Sequence, residues 1–483
     1  MRRRRPRFAV HLMNFGALIL ISLWVSKGVF GQTPALPAEQ RLARDIFQEL
    51  IEINTTHSAG DTTRAAEAMA ARLKQAGYPE TDVLVTGPGP RNRNLVARLR
   101  GTGRRTPILF LAHLDVVEAR PEDWSMDPFK LNERDGFFYG RGTSDIKDGA
   151  AILIADFIRL KQDGFRPDRD LIVALTAGEE SGGDYNGVQW LLANRRDLID
   201  APYCINMDAG DPQIKDGKRV LRTVQATEKV YIDFSLEVRN PGGHSSLPTK
   251  DNAIYRLADG LGRVARFDFP VRLNEVTRTY FLRMSEIEKD PSVAAAMKSI
   301  VSNPADAAAA GRLAQDSYYN AMMRTTCVAT MLAGGHAPNA LPQMARANVN
   351  CRMLPDDSPA VVNKTLIKVL ADDQIKISVA SEPLLSPPSP LNPEVMGATE
   401  RTTAKLWPGV PVIPVMETGA TDGAHLRRAG IATYGISGVF IDVDDVRAHG
   451  RDERIGVREY YDGVDYLYHL ITALASTNQA GKG

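Results

Sequence analysis

The sequence is poor in cysteine. It has only Cys204, Cys327 and Cys351 among 483 residues. An odd number leaves at least one thiol unpaired, so we expect that disulfides do not hold this fold together. Cys204 and Cys351 stand in strand-like runs, where a small buried hydrophobic residue is the expected role.

The sequence also lacks an excess of charge. Lys and Arg number 59 against 58 Asp and Glu, and several of the arginines stand at the extreme amino terminus. A nucleic-acid-binding domain usually carries a basic stripe, and no such stripe remains beyond those first residues. We therefore expect no nucleic-acid partner.

The amino terminus has the composition of an export signal. Residues 1–7 are rich in arginine, residues 15–25 are apolar apart from one serine, and small residues follow up to position 31. A retained membrane anchor is the alternative, but the apolar stretch is short for crossing a bilayer. We predict a signal peptide at 1–31 and a periplasmic or secreted protein with no stable membrane anchor after cleavage.

The remaining 450 or so residues predict more than one domain, because that length exceeds what one core usually holds. The runs 108–112 and 171–175 are continuously apolar, as in parallel strands covered on both faces. Past Thr223 apolar and polar residues alternate, for example from Val230 to Val238. Strands with this period of two have one solvated face, which indicates an antiparallel sheet backed by helices.

These two hydrophobic patterns predict a larger α/β domain that is interrupted by a smaller domain. The larger domain has a mostly parallel, mixed sheet and covers 40–222 and 385–478. The inserted α+β domain covers 223–384, and its polar, alanine-rich segment 285–325 is expected to form helices within the insert.

Potential metal ligands stand directly after several apolar runs or in glycine-rich turns. In a mostly parallel α/β sheet, functional groups gather at the carboxyl edge of the strands. Imidazoles and carboxylates gathered there suit one or two borderline metal ions such as zinc, and this predicts a metallohydrolase. The residues concerned are His113, Asp115, Asp145, Glu179, Glu180, Asp208 and His449.

Several of these residues also have a structural alternative. His113 alone is typical of a buried structural histidine, but Asp115 supplies the type of group that fixes the tautomer of a ligating imidazole. Asp145 stands where a helix N-cap is expected, yet a carboxylate can also bridge two metals. Glu179 and Glu180 fit a solvated acidic loop, but after a buried strand adjacent acids are costly unless a cation or a proton offsets them.

Five motifs in one order then point to a known family. They are His-Leu-Asp-Val-Val, Gly-Arg-Gly-Thr-Ser-Asp-Ile-Lys-Asp-Gly, Ala-Gly-Glu-Glu-Ser-Gly-Gly, Pro-Gly-Gly-His-Ser-Ser-Leu-Pro and His-Gly-Arg-Asp-Glu. Together they resemble the dizinc metallopeptidase family of aminoacylase, glutamate carboxypeptidase, carboxypeptidase S, bacterial dipeptidases and succinyl-diaminopimelate desuccinylase. The resemblance covers about residues 40–475. It implies a catalytic α/β domain interrupted by a lid or dimerisation domain. Some relatives form homodimers through this insert, whereas others with enlarged inserts are monomers, and the long 285–325 segment is compatible with either state.

The resemblance also implies a set of metal ligands for two zinc ions per chain. His113 and Asp208 would bind one zinc, Glu180 and His449 would bind the other, and Asp145 would bridge both. His425 competes with His449, but its Gly-Ala-Thr-Asp-Gly-Ala-His motif is not the ligand motif in the family.

Further roles follow from the same resemblance. Asp115 would orient the first histidine ligand, and Glu179 would be the general acid and base. His244 would stabilise the oxyanion. The alternative is that His244 is a loop residue without a role in catalysis. Asn339 and Arg352 match the substrate-binding pair, and a guanidinium suits a free carboxylate. A surface salt bridge is the alternative for Arg352.

The sequence thus predicts an exported, zinc-dependent metallopeptidase that hydrolyses amide bonds of small peptides with a free C-terminal carboxylate. It would act as a carboxypeptidase or a dipeptidase. An N-acyl amino acid deacylase is the enzymatic alternative. A non-catalytic zinc-dependent binding protein would be expected to lack an acid at position 179, and a two-metal phosphoesterase fits Arg352 less well.

Overall fold

The computed structural model of the chain describes residues 36–181 and 185–476. The predicted signal peptide at 1–31 lies outside these residues. Within them, no helix combines the length and the apolar character that a membrane crossing needs.

The described chain contains 14 α-helices and 19 β-strands. The helices are α1 Ala38–Glu52, α2 Thr62–Gln75, α3 Lys147–Gln162, α4 Gly187–Asn194, α5 Arg196–Ile199, α6 Ala253–Ala265, α7 Glu275–Ile287, α8 Pro291–Ser302, α9 Ala307–Leu313, α10 Ser317–Met323, α11 Pro359–Leu370, α12 Pro393–Leu406, α13 Gly423–Arg428 and α14 Val457–Ala475. The strands are β1 Val83–Thr86, β2 Asn94–Leu99, β3 Ile108–His113, β4 Asn132–Arg134, β5 Phe137–Tyr139, β6 Leu171–Thr176, β7 Tyr203–Asn206, β8 Gln213–Lys215, β9 Lys218–Glu228, β10 Val230–Arg239, β11 Gly243–His244, β12 Thr326–Gly334, β13 Ala340–Leu341, β14 Met344–Met353, β15 Lys376–Val379, β16 Val412–Glu417, β17 Ala432–Gly435, β18 Ile441–Asp442 and β19 Arg454–Gly456.

The larger sheet is mixed, as the sequence predicts. Its strand order is β1-β2-β6-β3-β7-β17-β9-β8-β18, with β16 paired to β9. The central strands β6, β3, β7 and β17 run parallel to one another, whereas β1 and β2 are antiparallel to their neighbours. The parallel strands end at one edge, and that edge positions the site described below.

Both faces of the central strands are covered. Along β3, Ile108 and Phe110 pack into a core with α1, α2, α3 and α14. Leu109 and Leu111 point to the opposite core, which includes residues of α4 and α13. Coverage on both faces explains why the run is continuously apolar rather than alternating.

A separate four-stranded sheet is antiparallel, with the order β12-β14-β10-β15. Along β10, alternate residues from Val230 to Val238 are buried, and the residues between them are at least partly exposed. The fold therefore combines an α/β part with an inserted antiparallel α+β part, as predicted. The exact boundaries at 223 and 384 stay predictions.

The helices α7 to α10 have an unexpected location. The sequence suggests that residues 285–325 are helices packed within the insert, but their apolar side chains share a core with β16 of the larger sheet. Met297 and Met322 pack in this core with Ile413 and Val415. Helical periodicity identifies these helices, but it does not specify which sheet their apolar faces cover.

The expectation that disulfides do not hold this fold together is wrong. Cys327 and Cys351 form a disulfide between β12 and β14, where they are direct partners across the antiparallel pair. Cys204 is the free and buried cysteine. An odd count requires one unpaired thiol but does not prevent the other two from pairing, and the strand register that brings them together is not visible in the sequence.

Candidate metal centre

Three neighbouring parallel strands bring most of the predicted ligands together. His113 is the last residue of β3, the loop after β6 carries Glu179 and Glu180, and Asp208 follows β7. Since β3 lies between β6 and β7 in the sheet, these three carboxyl ends are adjacent. Asp145 approaches from the turn that leads into α3. The side chains thus meet at the carboxyl edge, as expected for this class of sheet.

Asp145 lies between the two histidines. Its Oδ1 atom is 3.2 Å from Nε2 of His113, and its Oδ2 atom is 2.9 Å from Nε2 of His449. His113 Nε2 is also 3.7 Å from Oδ1 of Asp208, and His449 Nε2 is 2.6 Å from Oε1 of Glu180. The contacts divide the cluster into two halves that share one carboxylate.

The tautomer of His113 is set by the backbone. Nδ1 lies 2.9 Å from the carbonyl oxygen of Asp115, and because a carbonyl only accepts, Nδ1 must donate. In the neutral ring Nε2 then carries the lone pair and faces the carboxylates, which is the orientation a metal ligand needs.

The Asp115 carboxylate has a different function from the one that the resemblance implies. Its Oδ1 atom is 4.0 Å from His113 Nδ1, so the orienting group is the backbone carbonyl of Asp115. The carboxylate instead accepts hydrogen bonds from the backbone N–H groups of Gly178 at 2.7 Å and Glu180 at 2.8 Å. It thereby fixes the loop that carries Glu179.

His449 lies in the loop between β18 and β19 and has a φ of +62°. Residues other than glycine rarely adopt this left-handed conformation, and those that do are enriched at functional sites. The carbonyl groups of His449 and Gly450 accept hydrogen bonds from Arg141 at 3.3 and 3.0 Å. Arg141 therefore supports the backbone conformation that presents the imidazole.

The sequence reasoning did not identify Arg141 and Glu453 as supports of the centre. Glu453 is fully buried and accepts hydrogen bonds from the backbone N–H groups of Ser144 at 2.8 Å and Asp145 at 3.2 Å. In the sequence, their only link to the centre is that Arg141 belongs to the motif of Asp145 and Glu453 to the motif of His449. Sequence alone gives no reason to expect a buried ion pair between Arg141 and Glu453, which are 312 residues apart.

Two carboxyl groups of the centre, those of Asp208 and Glu179, resist ionisation. Burial raises the pKa of Asp208 to about 7. Burial and the nearby Asp208 carboxylate raise the pKa of Glu179 well above its usual range. Hydrogen bonds with Asp145 and Glu180 raise the pKa of His449 to about 10. Several carboxyl groups in one place shift the pKa values of their neighbours, and a bound divalent cation would stabilise the ionised carboxylates.

The donor groups fit a metal centre. Donor atoms of His113, Asp145 and Glu180 all lie within 4.8 Å of one another, as do those of His113, Glu179 and Asp208. Imidazole nitrogen with carboxylate oxygen is a donor set that suits zinc and similar ions. The second group includes Glu179, so geometry alone leaves this acid a possible ligand as well as a proton carrier.

The predicted substrate-binding residues lie apart from this cluster. His244 is exposed in β11, which pairs antiparallel with β13, and its Nδ1 atom is 2.7 Å from the Ser246 hydroxyl. Asn339 is close by, because its carbonyl accepts from the backbone N–H of Ser245. Arg352 stacks over the Tyr231 ring at 4.7 Å. Among the described residues, no hydrogen bond or ion pair joins these three side chains to the metal cluster.

His425 is not part of the cluster either. It lies in α13 and lines a cavity that also reaches Glu179. Burial lowers the pKa of His425, so its imidazole is neutral near pH 7.

A mixed α/β sheet with imidazoles and carboxylates at its carboxyl edge is typical of a metal-dependent hydrolase. Comparison with known proteins specifies the family. Residues 109–473 match the model of peptidase family M20/M25/M40, and the chain belongs to this family.

Relatives with assigned names include peptidases and an acyl-amino-acid enzyme. The human N-fatty-acyl-amino acid synthase/hydrolase PM20D1 is 29% identical over 378 residues, which are 76% of this chain and 73% of that protein. The probable carboxypeptidase S-like 2 of Dictyostelium discoideum is 29% identical over 400 residues, with 79% and 74% covered. The solved M20 family metallo-carboxypeptidase Sso-CP2 of Sulfolobus solfataricus has a TM-score of 0.66 at 18% identity, and covers 91% of this chain and 100% of its own.

Proposed function

We propose that this protein is an exported enzyme with two zinc ions per chain, and that it hydrolyses amide bonds of small substrates with a free C-terminal carboxylate. Small peptides are the first candidate, which would make it a carboxypeptidase or a dipeptidase. The observation that carries this proposal is the position of the Asp145 carboxylate between His113 and His449, 3.2 and 2.9 Å from their Nε2 atoms. One oxygen of a carboxylate is thereby available to each half of the centre.

The ligand set that we propose divides in the same way. His113 and Asp208 hold one ion, Glu180 and His449 hold the other, and Asp145 contributes to both. Bound metal ions would lower the pKa of a water molecule and polarise the substrate carbonyl.

Glu179 is the proposed proton carrier. Its pKa is raised by burial and by Asp208, which makes its carboxylate a stronger base than an exposed glutamate. It accepts a proton from the attacking water and returns it to the leaving nitrogen. Asp115 supports this transfer by hydrogen bonding to the loop of Glu179 through the backbone N–H of Gly178 at 2.7 Å.

His244, Asn339 and Arg352 remain the proposed substrate-binding residues. Arg352 would bind the free carboxylate, since a guanidinium presents two parallel donors to a carboxylate. His244 would stabilise the oxyanion. Arg352 and His244 both lie on the inserted part. They can contact a substrate at the metal cluster only if the inserted part moves towards the cluster when substrate binds.

Deacylation of N-acyl amino acids is the second candidate. Its support is the similarity to the human protein whose name describes an N-fatty-acyl-amino acid synthase and hydrolase. The two substrate classes share a free carboxylate beside an amide bond, so one centre can serve either class.

A hydrolysis screen tests the proposal. Purified, zinc-loaded protein is offered dipeptides, tripeptides, tetrapeptides and N-acyl amino acids, and released amino acids are quantified. Release of C-terminal residues from longer peptides identifies a carboxypeptidase, cleavage of dipeptides alone a dipeptidase, and cleavage of acyl substrates alone a deacylase. A protein that binds two zinc ions and cleaves none of them refutes the proposed function.

Export to an oxidising compartment is part of the proposal. The basic and apolar N-terminal segments support it, and so does the Cys327–Cys351 disulfide, because structural disulfides are typical of exported proteins. Fractionation of cells that produce the full chain should recover the protein outside the cytoplasm, with an amino terminus near residue 32 by N-terminal sequencing. A cytoplasmic protein with an intact amino terminus would contradict export.

We also propose a homodimer formed through the inserted part. β12 is the edge strand of its sheet, and Val328, Met331 and Leu332 on it are 60%, 70% and 67% exposed. A long apolar edge strand is a template for pairing with a second chain. Sedimentation should give a dimer that Leu332→Asp dissociates, whereas a monomeric wild-type protein would refute the dimer.

A further inference from the structure

A cavity of about 190 Å³ extends from Glu179 towards the inserted sheet. It lies where β9 passes into β10, and the start of α13 closes one side. Its apolar lining consists of Val230, Leu384, Ala420 and Ala424, together with the ring of Tyr231. In other proteins an apolar cavity of about 150 Å³ holds a benzene ring, so this cavity has room for a large side chain.

The polar groups of the cavity are largely occupied by protein partners. Glu228 forms a buried ion pair with Arg427 at 2.7 Å. Asp422 accepts a hydrogen bond from Thr176 at 2.9 Å. Lys229 directs its ammonium group to the carbonyl oxygens of residues 321 and 324, at 2.9 and 2.6 Å. These groups therefore have little capacity to bind a charged ligand.

Three further polar side chains of the lining also have protein partners: Asn186 donates to Asp422, Thr421 donates to Glu228 at 3.0 Å, and Ser386 accepts from Arg427 at 2.9 Å. Glu179 and His425 also line the cavity. The His425 ring makes no hydrogen bond with any residue in the described ranges 36–181 and 185–476, and burial lowers its pKa so that it is neutral near pH 7. The one cation of the lining, Lys229, is directed to backbone carbonyl oxygens, so no lining residue offers a free positive charge to an acidic group, and the Asp422 carboxylate also lines the cavity. The cavity should therefore repel an acidic group and accept an apolar one.

Arg352 lies next to the cavity, because it contacts the lining residue Tyr231. Arg352 is the direct cross-strand partner of Tyr231, and its guanidinium lies 4.7 Å from the centre of that ring. A C-terminal amino acid whose carboxylate is held by Arg352, and whose amide is cleaved beside Glu179, would therefore place its own side chain over this cavity.

We propose that this cavity is the subsite for the side chain of the C-terminal residue, that it favours large apolar and aromatic side chains, and that it discriminates against aspartate and glutamate. This inference rests on the proposed amide hydrolase function. Ala420 and Leu384 become specificity residues, since Ala420 is exposed and a larger side chain there would fill the cavity without entering the core.

Kinetics on three substrates test the subsite. With the acyl group held constant as acetyl, kcat/KM should be about 10- to 100-fold higher for N-acetyl-phenylalanine than for N-acetyl-glycine, as expected for burial of an aromatic side chain. N-acetyl-glutamate should be no better than N-acetyl-glycine. Ala420→Leu should reduce the preference for phenylalanine over glycine at least about 5-fold. Leu384→Ala should instead shift the substrate preference towards larger side chains. Leu385→Ala is the matched control, because Leu385 is adjacent and 44% exposed but does not line the cavity.

A binding measurement separates this inference from the proposed function. Calorimetry of the zinc-loaded protein should detect free phenylalanine, with binding weakened by Ala420→Leu and glutamate bound more weakly than phenylalanine. Equal binding of both amino acids, or an Ala420→Leu protein that keeps the full preference, overturns the subsite even if all substrates are hydrolysed. If Ala420→Leu alters selectivity only when the acyl group is varied, the cavity binds the acyl side and the inference is wrong. If nothing is hydrolysed but phenylalanine binding follows these rules, the subsite stands and the proposed reaction fails.

Discussion

Arg141 Nη1 donates a hydrogen bond to Glu453 Oε2 at 2.5 Å, and both side chains are buried. The pair joins two loops that are far apart in the sequence. Glu453 also accepts from the backbone N–H of Asp145 at 3.2 Å, while Arg141 donates to the carbonyl of His449 at 3.3 Å. One ion pair thus positions a carboxylate and an imidazole that belong to the two halves of the centre.

The first prediction is that Glu453→Gln weakens metal binding about 10- to 100-fold, as for other groups that orient metal ligands. It should also lower the free energy of unfolding by about 3–5 kcal/mol, because Arg141 becomes an uncompensated buried charge. Calorimetric zinc titration and chemical denaturation measure the two effects. Arg134→Gln is the control, since its ion pair with Asp135 is exposed and surface pairs contribute little.

A double variant distinguishes positioning from stability alone. Arg141→Met with Glu453→Met removes both charges and should recover much of the stability, but zinc affinity should stay low. Recovery of zinc affinity together with stability would mean that the pair has only a structural role.

The second prediction concerns metal content. After gentle dialysis the protein should contain about two zinc equivalents, because the ligands are too many for one tetrahedral ion. His449→Ala should lose about one equivalent and His425→Ala none, as measured by elemental analysis with circular dichroism to verify folding. Loss of zinc from the His425 variant, with full retention by the His449 variant, would reverse the ligand assignment.

Much of this centre is predictable because strand ends are visible in the sequence. A continuously apolar run such as 108–112 indicates a buried parallel strand, and the residue after it must lie at the carboxyl edge. The sequence does not reveal which strands are neighbours or in which register, and this is why the Cys327–Cys351 pair was missed. Nor does it show whether a group acts through its side chain or its backbone, as the carbonyl of Asp115 does.

The third prediction tests the disulfide. Under denaturing, non-reducing conditions, thiol titration of the exported protein should find about one thiol per chain, and about three after reduction. Cys351→Ser should lower the free energy of unfolding by about 2–4 kcal/mol, the usual range for a disulfide of this kind. Cys204→Ser, which does not touch the disulfide, is the control for thiol counting. Three thiols before reduction would contradict the bond.

The fourth prediction is a pH effect on stability at Asp156 in α3. Burial raises the pKa of Asp156 well above its usual range, despite the opposing effect of Arg159, and both of its oxygens lack hydrogen-bond partners within the described structure. The folded protein therefore retains this proton at pH values where the unfolded chain releases it, so stability falls as the pH rises above the ordinary aspartate pKa.

Asp156→Asn removes that titration. Relative to the wild type, the variant should gain stability as the pH increases from about 4 towards 8, by at most about 1.4 kcal/mol per pH unit. Denaturation at several pH values measures this slope. Exposed Glu67 offers the control Glu67→Gln, which exchanges a carboxyl for an amide outside the core. A constant difference for Asp156→Asn would show that the carboxyl is not protonated in the folded state.

The last prediction separates proton transfer from metal binding at two adjacent acids. Glu179→Gln should retain both metals and the fold, while kcat falls by about 10²- to 10⁴-fold, as is typical when a general base is lost. KM should change little, because the proton moves only as the transition state forms. Glu180→Gln should instead reduce both metal content and activity, since its Oε1 atom lies 2.6 Å from Nε2 of His449. Zinc analysis beside steady-state kinetics measures both variants. If Glu179→Gln loses a metal, then Glu179 is a ligand together with His113 and Asp208. If it turns over normally with both metals bound, another group must carry the proton.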